Sequence, residues 1–560
     1  MRDKQYSMVL FFIFLFLNCN AQLSTYEKPV SFDLSTVILD QLRKSIQTVE
    51  MPLLDMTKIE AEDKEDEEYD MPPRFGYSYK VNYNLTNSGT WTSLPNGDKI
   101  WQLNIICPGA LSVNFGYDKF WIPEGGKFFV YSKDRKHSIG AFTSRNNKGA
   151  MDNIRGFATG LVYGSDIILE YYQPKNVLSD AVISIEYVVH GYRYINLGEK
   201  GYGNAGSCMV NVNCEEGQNW QNEKKAVAMI VVNNNRICSG SLINTTDLSQ
   251  SPLFLTADHC ISSFDRDAIE NPNLDEFSFY WNYEAPGCLN NNIEPTFYST
   301  SGATLLANNS ESDFALLRLT EDPKDLSNYT PFYLGWDCSG QSGEAGVCIH
   351  HPKGDVKKIS TVLSQPTSPY LFCWSVGWAY TINGHSMTQP GSSGSALINA
   401  EHMIIGQLYG GTCGNCSNAN GKSTYGQFHV SWTGNYNDTI QRRLNCWLDS
   451  LNTGAQTMEG LLVIPTTSTL NTDQQFYGNI LITDIGQLSI QSNVEMMGNS
   501  RIFVEAGGKL IINGGTLSNT DIILKPGATL QIINGGTIET RNGFVAPVGA
   551  YVNIDYGQIL

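Results

Sequence analysis

Three short segments constrain this chain more than any other feature, because their chemistry appears only if folding brings them together. The first contains His259 followed by Cys260, the second contains Asp313 before an apolar run, and the third contains Ser393 between glycines. An alkyl hydroxyl near neutral pH needs an imidazole to take its proton and a buried carboxylate to fix the imidazole tautomer. We therefore predict that His259 is a base, Asp313 its orienting carboxylate and Ser393 a nucleophile.

The surroundings of these residues fit the predicted roles. Cys260 predicts a disulfide, with Cys238 as the expected partner, that fixes the strand end bearing the base. The apolar run after Asp313 predicts a strand edge where water is excluded and the carboxylate charge is strongly felt. Glycines around the serine permit a tight turn whose N–H groups converge on an oxyanion, and we assign those donors to Gly391 and Ser393.

At these residues the sequence resembles the trypsin-like serine endopeptidases, and specifically the secreted bacterial lysyl endopeptidases. The resemblance extends from about Gly206 to Leu462. It implies a pair of six-stranded antiparallel barrels, with His259 in the first, Ser393 in the second and the site between them. Further matching motifs are Gly206-Ser-Cys, Tyr280-Trp-Asn-Tyr, Gly335-Trp-Asp, Ile349-His-His-Pro, Gly406-Gln-Leu-Tyr-Gly-Gly and Ser431-Trp-Thr-Gly.

The resemblance also implies three disulfides in this region. These pair Cys208 with Cys416, Cys214 with Cys288, and Cys238 with Cys260; Cys413 is an alternative to Cys416. Five cysteines of the region are left over: Cys338, Cys348, Cys373, Cys413 and Cys446. An odd number predicts at least one free thiol or a different pairing.

The substrate pocket departs from the family. Ser423 occupies the place of the aspartate that attracts lysine in lysyl endopeptidases, and Met387 occupies the place of the acid in other trypsin-like relatives. An unpaired ammonium in a closed pocket is costly. We therefore expect a neutral or apolar P1 residue, with Ser423, Met387 and Tyr409 as pocket walls. An acidic P1 residue is the alternative, because Lys422 and His429 lie nearby in sequence.

A second departure concerns activation. Many trypsin-like zymogens switch on when a new N-terminal amine pairs with an aspartate just before the nucleophile, but Ser392 stands at that position. Latency would therefore have to come from the region upstream of the protease domain.

The start of the chain predicts export. Residues 1–21 have a basic start, a short apolar run and small residues, which indicate a signal peptide cleaved after Ala21. Cys19 as a lipoprotein cysteine is the alternative. Export into an oxidising compartment fits disulfides, and we expect a secreted or cell-surface protein.

Two upstream regions follow the signal peptide. The acidic residues 22–76 predict a solvated linker at the start of a propeptide. Residues 77–200 alternate apolar and polar positions between turn residues, which predicts a β-sandwich. By the resemblance it is a pro-domain, a folding aid and inhibitor removed by a cut near Lys200, before a protease domain at 201–462. A β domain retained in the mature protein is the alternative.

The last region, 463–560, is repetitive. The sequence Asn513-Gly-Gly-Thr-Leu recurs at Asn534-Gly-Gly-Thr-Ile, a spacing that predicts the stacked coils of a β-solenoid. The predicted fold class is therefore mainly β: a double antiparallel β-barrel serine protease domain, an upstream β-sandwich pro-region and a C-terminal β-solenoid-like region. A spacer, a surface attachment element and a secretion-related appendage are all open as roles for the solenoid.

Charge and composition limit the partners. A formal net charge of -18 argues against nucleic acid, and no apolar run after the signal is long enough to span a membrane. No spacing of His, Cys and carboxylates predicts a metal, and we expect no cofactor. Two functions stay open: a serine endopeptidase acting on protein or peptide substrates through an acyl-enzyme, and a protease-derived adhesion or binding protein with an idle triad.

Overall fold

The computed structural model is mainly β, with 46% of residues in strands and 12% in helices, and it confirms the predicted fold class. It describes residues 27–68, 71–177, 179–193, 205–232, 235–261, 273–290, 295, 297–326, 329–370, 372–412, 416, 421–434 and 439–560. The expected signal peptide, its cleavage point, the cut near Lys200 and the alternative cysteines Cys19 and Cys413 lie outside these residues. Among the helices that are described, none is long and apolar enough to cross a membrane.

The upstream region is a sandwich of two sheets around one core. Apolar residues that alternate along the strands, such as Trp101 and Leu103 in one sheet and Phe115 and Val188 in the other, are fully buried between them. One sheet contains Gln47–Glu50, Lys99–Ile106, Asp166–Gln173, Lys127–Ser132 and Ser138–Phe142, with Thr90–Ser93 beside Lys99–Ile106. The other contains Phe157–Ala158, Ser112–Trp121, Val182–Gly191 and Gly76–Asn84, with Val162–Tyr163 beside Ser112–Trp121. A helix at Thr36–Ser45 and a hairpin of Gly149–Ala150 with Asn153–Ile154 complete it.

The acidic segment differs from the solvated linker that its composition predicts. Met56–Glu68 is a helix, and it buries the side chains of Asp63 and Asp66. The Arg74 Nε lies 2.9 Å from Asp63 Oδ1, and the Arg236 Nη2 lies 2.9 Å from Asp66 Oδ2. The prediction failed because like charges resist packing only where no cation offsets them, and one of these arginines is distant in sequence.

The first barrel is a closed sheet. Its strands are, in spatial order, Tyr298–Ser301, Ser278–Trp281, Val227–Val232, Arg236–Leu242, Leu253–Thr256, Phe314–Leu319 and Ala303–Asn309. The first and last of these belong to one bent strand that is interrupted only at Gly302, whose φ of 84° favours glycine. The sheet therefore returns to its own edge and closes as a six-stranded barrel.

The second barrel closes in a similar way. A bridge between Val362 and Trp378 joins the two ends of its strand order. Its principal strands are, in spatial order, Lys358–Thr361, Val347–His350, Ala396–Ile398, Met403–Gly411, Lys422–Gln427 and Cys373–Gly377. The sheet is extended by Val210–Asn211, Gly335–Asp337, Thr367–Tyr370 and Thr457–Met458, and flanked by a hairpin of Tyr380–Thr381 with Gly384–His385 and by helices Phe428–Thr433 and Asn445–Leu448.

The C-terminal region is a β-solenoid of about 5 turns, whose successive coils pair in parallel in one nine-stranded and one five-stranded sheet. In-register pairing stacks Leu488, Leu510 and Leu530 in its fully buried interior. The first coil joins the barrel region through an antiparallel pairing of Leu461–Ile464 with Phe332–Tyr333. The other strands are Thr467–Leu470, Gln474–Tyr477, Asn479–Ile482, Gln487–Ile490, Asn493–Met497, Arg501–Val504, Lys509–Asn513, Thr516–Leu524, Thr529–Ile533, Thr537–Thr540, Tyr551–Asp555 and Gln558–Ile559.

Candidate active site

The histidine is held at the end of a first-barrel strand. Leu253–Thr256 leads into a single 3-10 turn, Asp258–Cys260, that carries His259. The disulfide between Cys238 and Cys260 ties this turn to the neighbouring strand. Although both sulfurs lie close to the imidazole, they are bonded to one another and offer no thiolate to a metal ion.

The carboxylate of Asp313 makes two contacts with His259. Its Oδ2 lies 2.8 Å from the imidazole Nδ1, and its Oδ1 accepts a hydrogen bond from the His259 N–H at 2.9 Å. Burial raises the pKa of the Asp313 carboxyl, and the hydrogen bonds from His259 oppose that rise. Asp313 has a φ of 53°, which is costly for a residue with a side chain and is found where a site demands it.

The serine turn is attached to the first barrel by Ser239. The Ser239 N–H donates to the Ser393 carbonyl at 2.8 Å, and its hydroxyl donates to the Gly391 carbonyl at 2.9 Å. The Ser393 carbonyl oxygen also lies 3.7 Å from the sulfur of Cys260, the residue after His259. The structure thus brings the backbones of all three predicted residues to the seam of the barrels. The hydrogen bonds of the described residues join His259 to Asp313, and they include none between the Ser393 hydroxyl and the His259 imidazole.

The two N–H groups predicted to bind an oxyanion lie in that turn. Gly391 has a φ of 93°, a conformation that favours glycine, and a side chain there would meet the backbone of Lys353. Neither the Gly391 N–H nor the Ser393 N–H donates to another protein group in the described part of the chain. Both donors are therefore available for a developing negative charge.

Two of the three predicted pocket residues lie together. The Ser423 hydroxyl accepts a hydrogen bond from the Trp378 indole at 2.9 Å and lies 2.6 Å from the Thr388 hydroxyl. Met387 precedes Thr388 and is 2% exposed, within the apolar core of the second barrel. The third predicted residue, Tyr409, is half exposed and presents its ring edge to the His259 imidazole, with 6.3 Å between ring centroids.

The cysteines pair as the resemblance implies. Cys208 and Cys416, Cys214 and Cys288, and Cys238 and Cys260 form disulfides. The free thiols among the described cysteines are Cys107, Cys338, Cys348, Cys373 and Cys446.

Three residues of the site were not predicted from the sequence. They are Ser239, which fixes the serine turn, and Trp378 and Thr388, which contact Ser423. Ser239 lies directly after the disulfide cysteine, and this nearness to the site was the only signal for it. Nothing in the sequence around Trp378 distinguishes its indole from an ordinary core side chain.

Two closed barrels that meet at a histidine, an aspartate and a glycine-flanked serine define the class of trypsin-fold serine protease domains. Within that class, residues 202–427 match the family model "Lysyl endopeptidase, C-terminal domain", which confirms the resemblance of the sequence motifs. This part of the chain is therefore similar to the lysyl endopeptidases.

One curated relative is the lysyl endopeptidase of Pseudomonas aeruginosa, 27% identical over 283 residues that cover 46% of this chain and 57% of the relative. The chain thus aligns with little more than half of that relative's length. Similar solved structures include a Glu endopeptidase in complex with MPD, at 15% identity and a TM-score of 0.26, covering 41% of this chain and 93% of that one. Another is a serine endoprotease from Yersinia pestis, at 15% identity and a TM-score of 0.25, covering 39% of this chain and 63% of that one.

Proposed function

We propose that this chain is a secreted serine endopeptidase that hydrolyses peptide bonds in protein and peptide substrates. His259 takes the proton of the Ser393 hydroxyl as the oxygen attacks the scissile carbonyl, and later gives that proton to the leaving amine. Asp313 keeps the imidazole in the correct tautomer. The N–H groups of Gly391 and Ser393 bind the oxyanion, and water then hydrolyses the acyl-enzyme.

The observation that carries this proposal is the pair of hydrogen bonds between the Asp313 carboxylate and His259, beside the serine turn. A carboxylate that is 3% exposed and that bonds both the backbone and the ring of one histidine sets the direction of that ring. The test is digestion of a peptide library by the secreted protein, with Ser393→Ala as the control. We expect defined cleavage sites that disappear in the variant; equal cleavage by both proteins would contradict the proposal.

We propose that the enzyme prefers an uncharged residue at P1. Ser423, Thr388 and Trp378 form a buried cluster without a formal charge, and their polar groups hydrogen-bond to one another. A lysine ammonium would meet no carboxylate there, and its desolvation would be uncompensated. This supports a pocket for neutral or apolar side chains.

The groups that could favour an acidic P1 residue lie elsewhere. Lys422 and Ser423 are neighbours in one strand, so their side chains point to opposite faces, and Lys422 is exposed. His429 belongs to the short helix Phe428–Thr433 and packs near Trp374 and Gly340. Neither contacts the Ser423 hydroxyl in the structure, which favours the uncharged alternative.

The pro-region is the proposed inhibitor. Its segment 71–75 pairs with the start of the first-barrel strand Arg236–Leu242: the Ile237 N–H donates to the Pro73 carbonyl at 3.1 Å, and the Phe75 N–H donates to the Asn235 carbonyl at 2.9 Å. Ile237 is two residues before Ser239, which holds the nucleophile turn. A cavity of about 530 Å³ is bounded on one side by this segment and on the other by Pro390. The segment therefore lies where it can restrict entry of a polypeptide substrate.

Buried polar contacts also attach the sandwich to the first barrel. The Lys148 ammonium donates to the Asp275 carbonyl at 2.9 Å and to the Ser301 hydroxyl at 3.0 Å, and Arg155 makes two hydrogen bonds with the Asp275 carboxylate. Burial lowers the pKa of Lys148 to about 8. Such an interface is matched to one partner and supports a role in folding and latency, with maturation at the cut proposed near Lys200.

We further propose the division 1–21, 22–76, 77–200, 201–462 and 463–560 for signal peptide, propeptide start, pro-domain, protease and solenoid. The contacts of the helix Met56–Glu68 with Arg74 and Arg236 support including 56–68 in the docked pro-region. The second function, an adhesion or binding protein with an idle triad, draws support only from the solenoid. All three catalytic residue types are present, and this favours the enzyme.

A further inference from the structure

His350 is a histidine of the second barrel that the catalytic steps do not use. It ends the strand Val347–His350 and is fully buried. Its Nδ1 lies 2.6 Å from the Ser392 hydroxyl oxygen, and its Nε2 lies 3.0 Å from the Ser360 hydroxyl oxygen. Burial lowers the pKa of this imidazole to about 3, so the ring is neutral at neutral pH.

The hydrogen atoms of this group can be assigned by counting donors. The Ser360 hydroxyl donates to the Met387 carbonyl at 2.7 Å, so it has no hydrogen left for the imidazole. It must instead accept from the His350 Nε2–H. A neutral ring that carries its hydrogen on Nε2 accepts at Nδ1, and the Ser392 hydroxyl is therefore the donor there. Every hydrogen in this chain of bonds has one acceptor.

The chain of bonds ends in the nucleophile turn. The Ser392 oxygen also accepts from the Gln389 N–H at 3.2 Å, while the Ser392 N–H donates to the Gln389 carbonyl at 2.9 Å. Ser392 lies between Gly391 and Ser393, the two residues whose N–H groups donate to no other protein group in the described part of the chain. Because His350 is fully buried, loss of the Ser392 hydroxyl contact would leave its Nδ1 without a hydrogen bond, and this cost opposes rotation of the peptides on either side of Ser392.

Resting on the proposed function, we propose that His350 is a positioning residue for catalysis: through the Ser392 hydroxyl it holds the nucleophile turn with both oxyanion donors directed into the cleft. Ser392 carries no charge and cannot form the ion pair with a new N-terminal amine that activates many trypsin-like zymogens. The hydrogen bond from Ser392 to His350 instead restrains the nucleophile turn from within the second barrel, so no new N-terminus is required. The competence of the turn is then independent of the cut that frees the protease.

The test uses the processed, secreted protein and the best peptide from the library digest. Ser392→Ala removes the donor, His350→Phe removes both nitrogens while filling the space, and His350→Asn keeps an acceptor near the Nδ1 position. We expect Ser392→Ala and His350→Phe each to lower kcat by about 100-fold, the size of losing one oxyanion donor. KM should change by less than about threefold, because ground-state binding is untouched. The double variant should be no worse than either single variant, and His350→Asn should recover much of the loss.

A matched control is His402→Phe, which removes another buried imidazole, one stacked between Trp220 and Tyr477 away from the turn. It should keep kcat within about twofold of the unaltered protein. Wild-type kcat in Ser392→Ala, or losses in the two single variants that multiply in the double variant, would overturn the inference. If His350→Phe does not fold, Ser392→Ala alone decides. An unaltered protein that cleaves no peptide would instead contradict the proposed function, on which the inference rests.

Discussion

Arg74 of the pro-region and Arg236 of the protease face one another across an antiparallel β-bridge, although both carry a positive charge. Both guanidinium groups are buried, and each has an acidic partner on the helix Met56–Glu68: Asp63 for Arg74 and Asp66 for Arg236. The acidic helix thus permits the segment 71–75 to lie against the barrel strand that contains Arg236. The charge run that composition predicts to be solvated is part of the interface between the upstream region and the first barrel.

Replacing Asp66 by Asn should loosen that interface. A buried arginine then loses a charged partner, at a cost of about 3 kcal/mol, and the pro-segment dissociates more often. We expect active-site labelling of the uncut chain by a fluorophosphonate to become at least several-fold faster than in the unaltered chain. The exposed Glu60→Gln is the matched control and should label at the unaltered rate. Equal rates in all three chains would show that these contacts do not restrict the site.

Ser423→Asp should introduce cleavage after lysine. The new carboxylate would lie at the buried hydroxyl cluster, where it can accept from the Trp378 indole and offset a substrate ammonium. A peptide-library digest read by mass spectrometry should show P1 lysine enriched at least tenfold, an effect of about 1.4 kcal/mol. Ser423→Asn, which has the same shape without the charge, should not do so. Dominant lysine cleavage by the unaltered protein would refute the assignment of an uncharged pocket.

Asp313→Asn should remove most turnover while leaving the fold in place. An amide at this position can donate to the imidazole, which favours the tautomer that cannot accept the serine proton. We expect kcat to fall by about 10⁴-fold, with the melting temperature close to that of the unaltered protein. Steady-state kinetics on one peptide substrate measure the loss. A fall of less than about tenfold would mean that Asp313 does not orient the base.

Acid should destabilise the protease domain in part through His350. Its pKa is about 3 in the folded protein against 6.5 when exposed, so below about pH 6.5 the unfolded chain binds a proton that the folded chain does not. This contribution to stability is complete above pH 6.5 and is lost as pH falls toward 3, with about 2 kcal/mol lost at pH 5. Denaturant unfolding of the mature protein, with Ser393 blocked, should show that the free energy of unfolding falls with pH in this range. His350→Asn should reduce this pH dependence, and an unchanged dependence in that variant would be inconsistent with a buried neutral ring.

Much of the protease could be predicted because its signals are local in sequence. His259, Asp313 and Ser393 each lie in a short sequence motif, and the cysteine pairs follow family motifs, whereas Ser239, which holds the serine turn, is distant from it in sequence. The environment of Asp66 could not be predicted, because its partner Arg236 is distant in sequence and only folding brings the two charges together. The role proposed for His350 could not be predicted for a related reason: its two ring contacts, Ser360 and Ser392, are distant in sequence from it and from each other.

Fluorophosphonate labelling of the processed protein, followed by peptide mapping of the modified residue, tests the assignment of the nucleophile. We expect one stoichiometric adduct, on Ser393; it should be absent from Ser393→Ala and should form much more slowly in a His259→Ala variant. A folded, processed protein that takes no label at Ser393, or that takes it on Ser392, would contradict the proposed nucleophile and favour a binding protein with an idle triad.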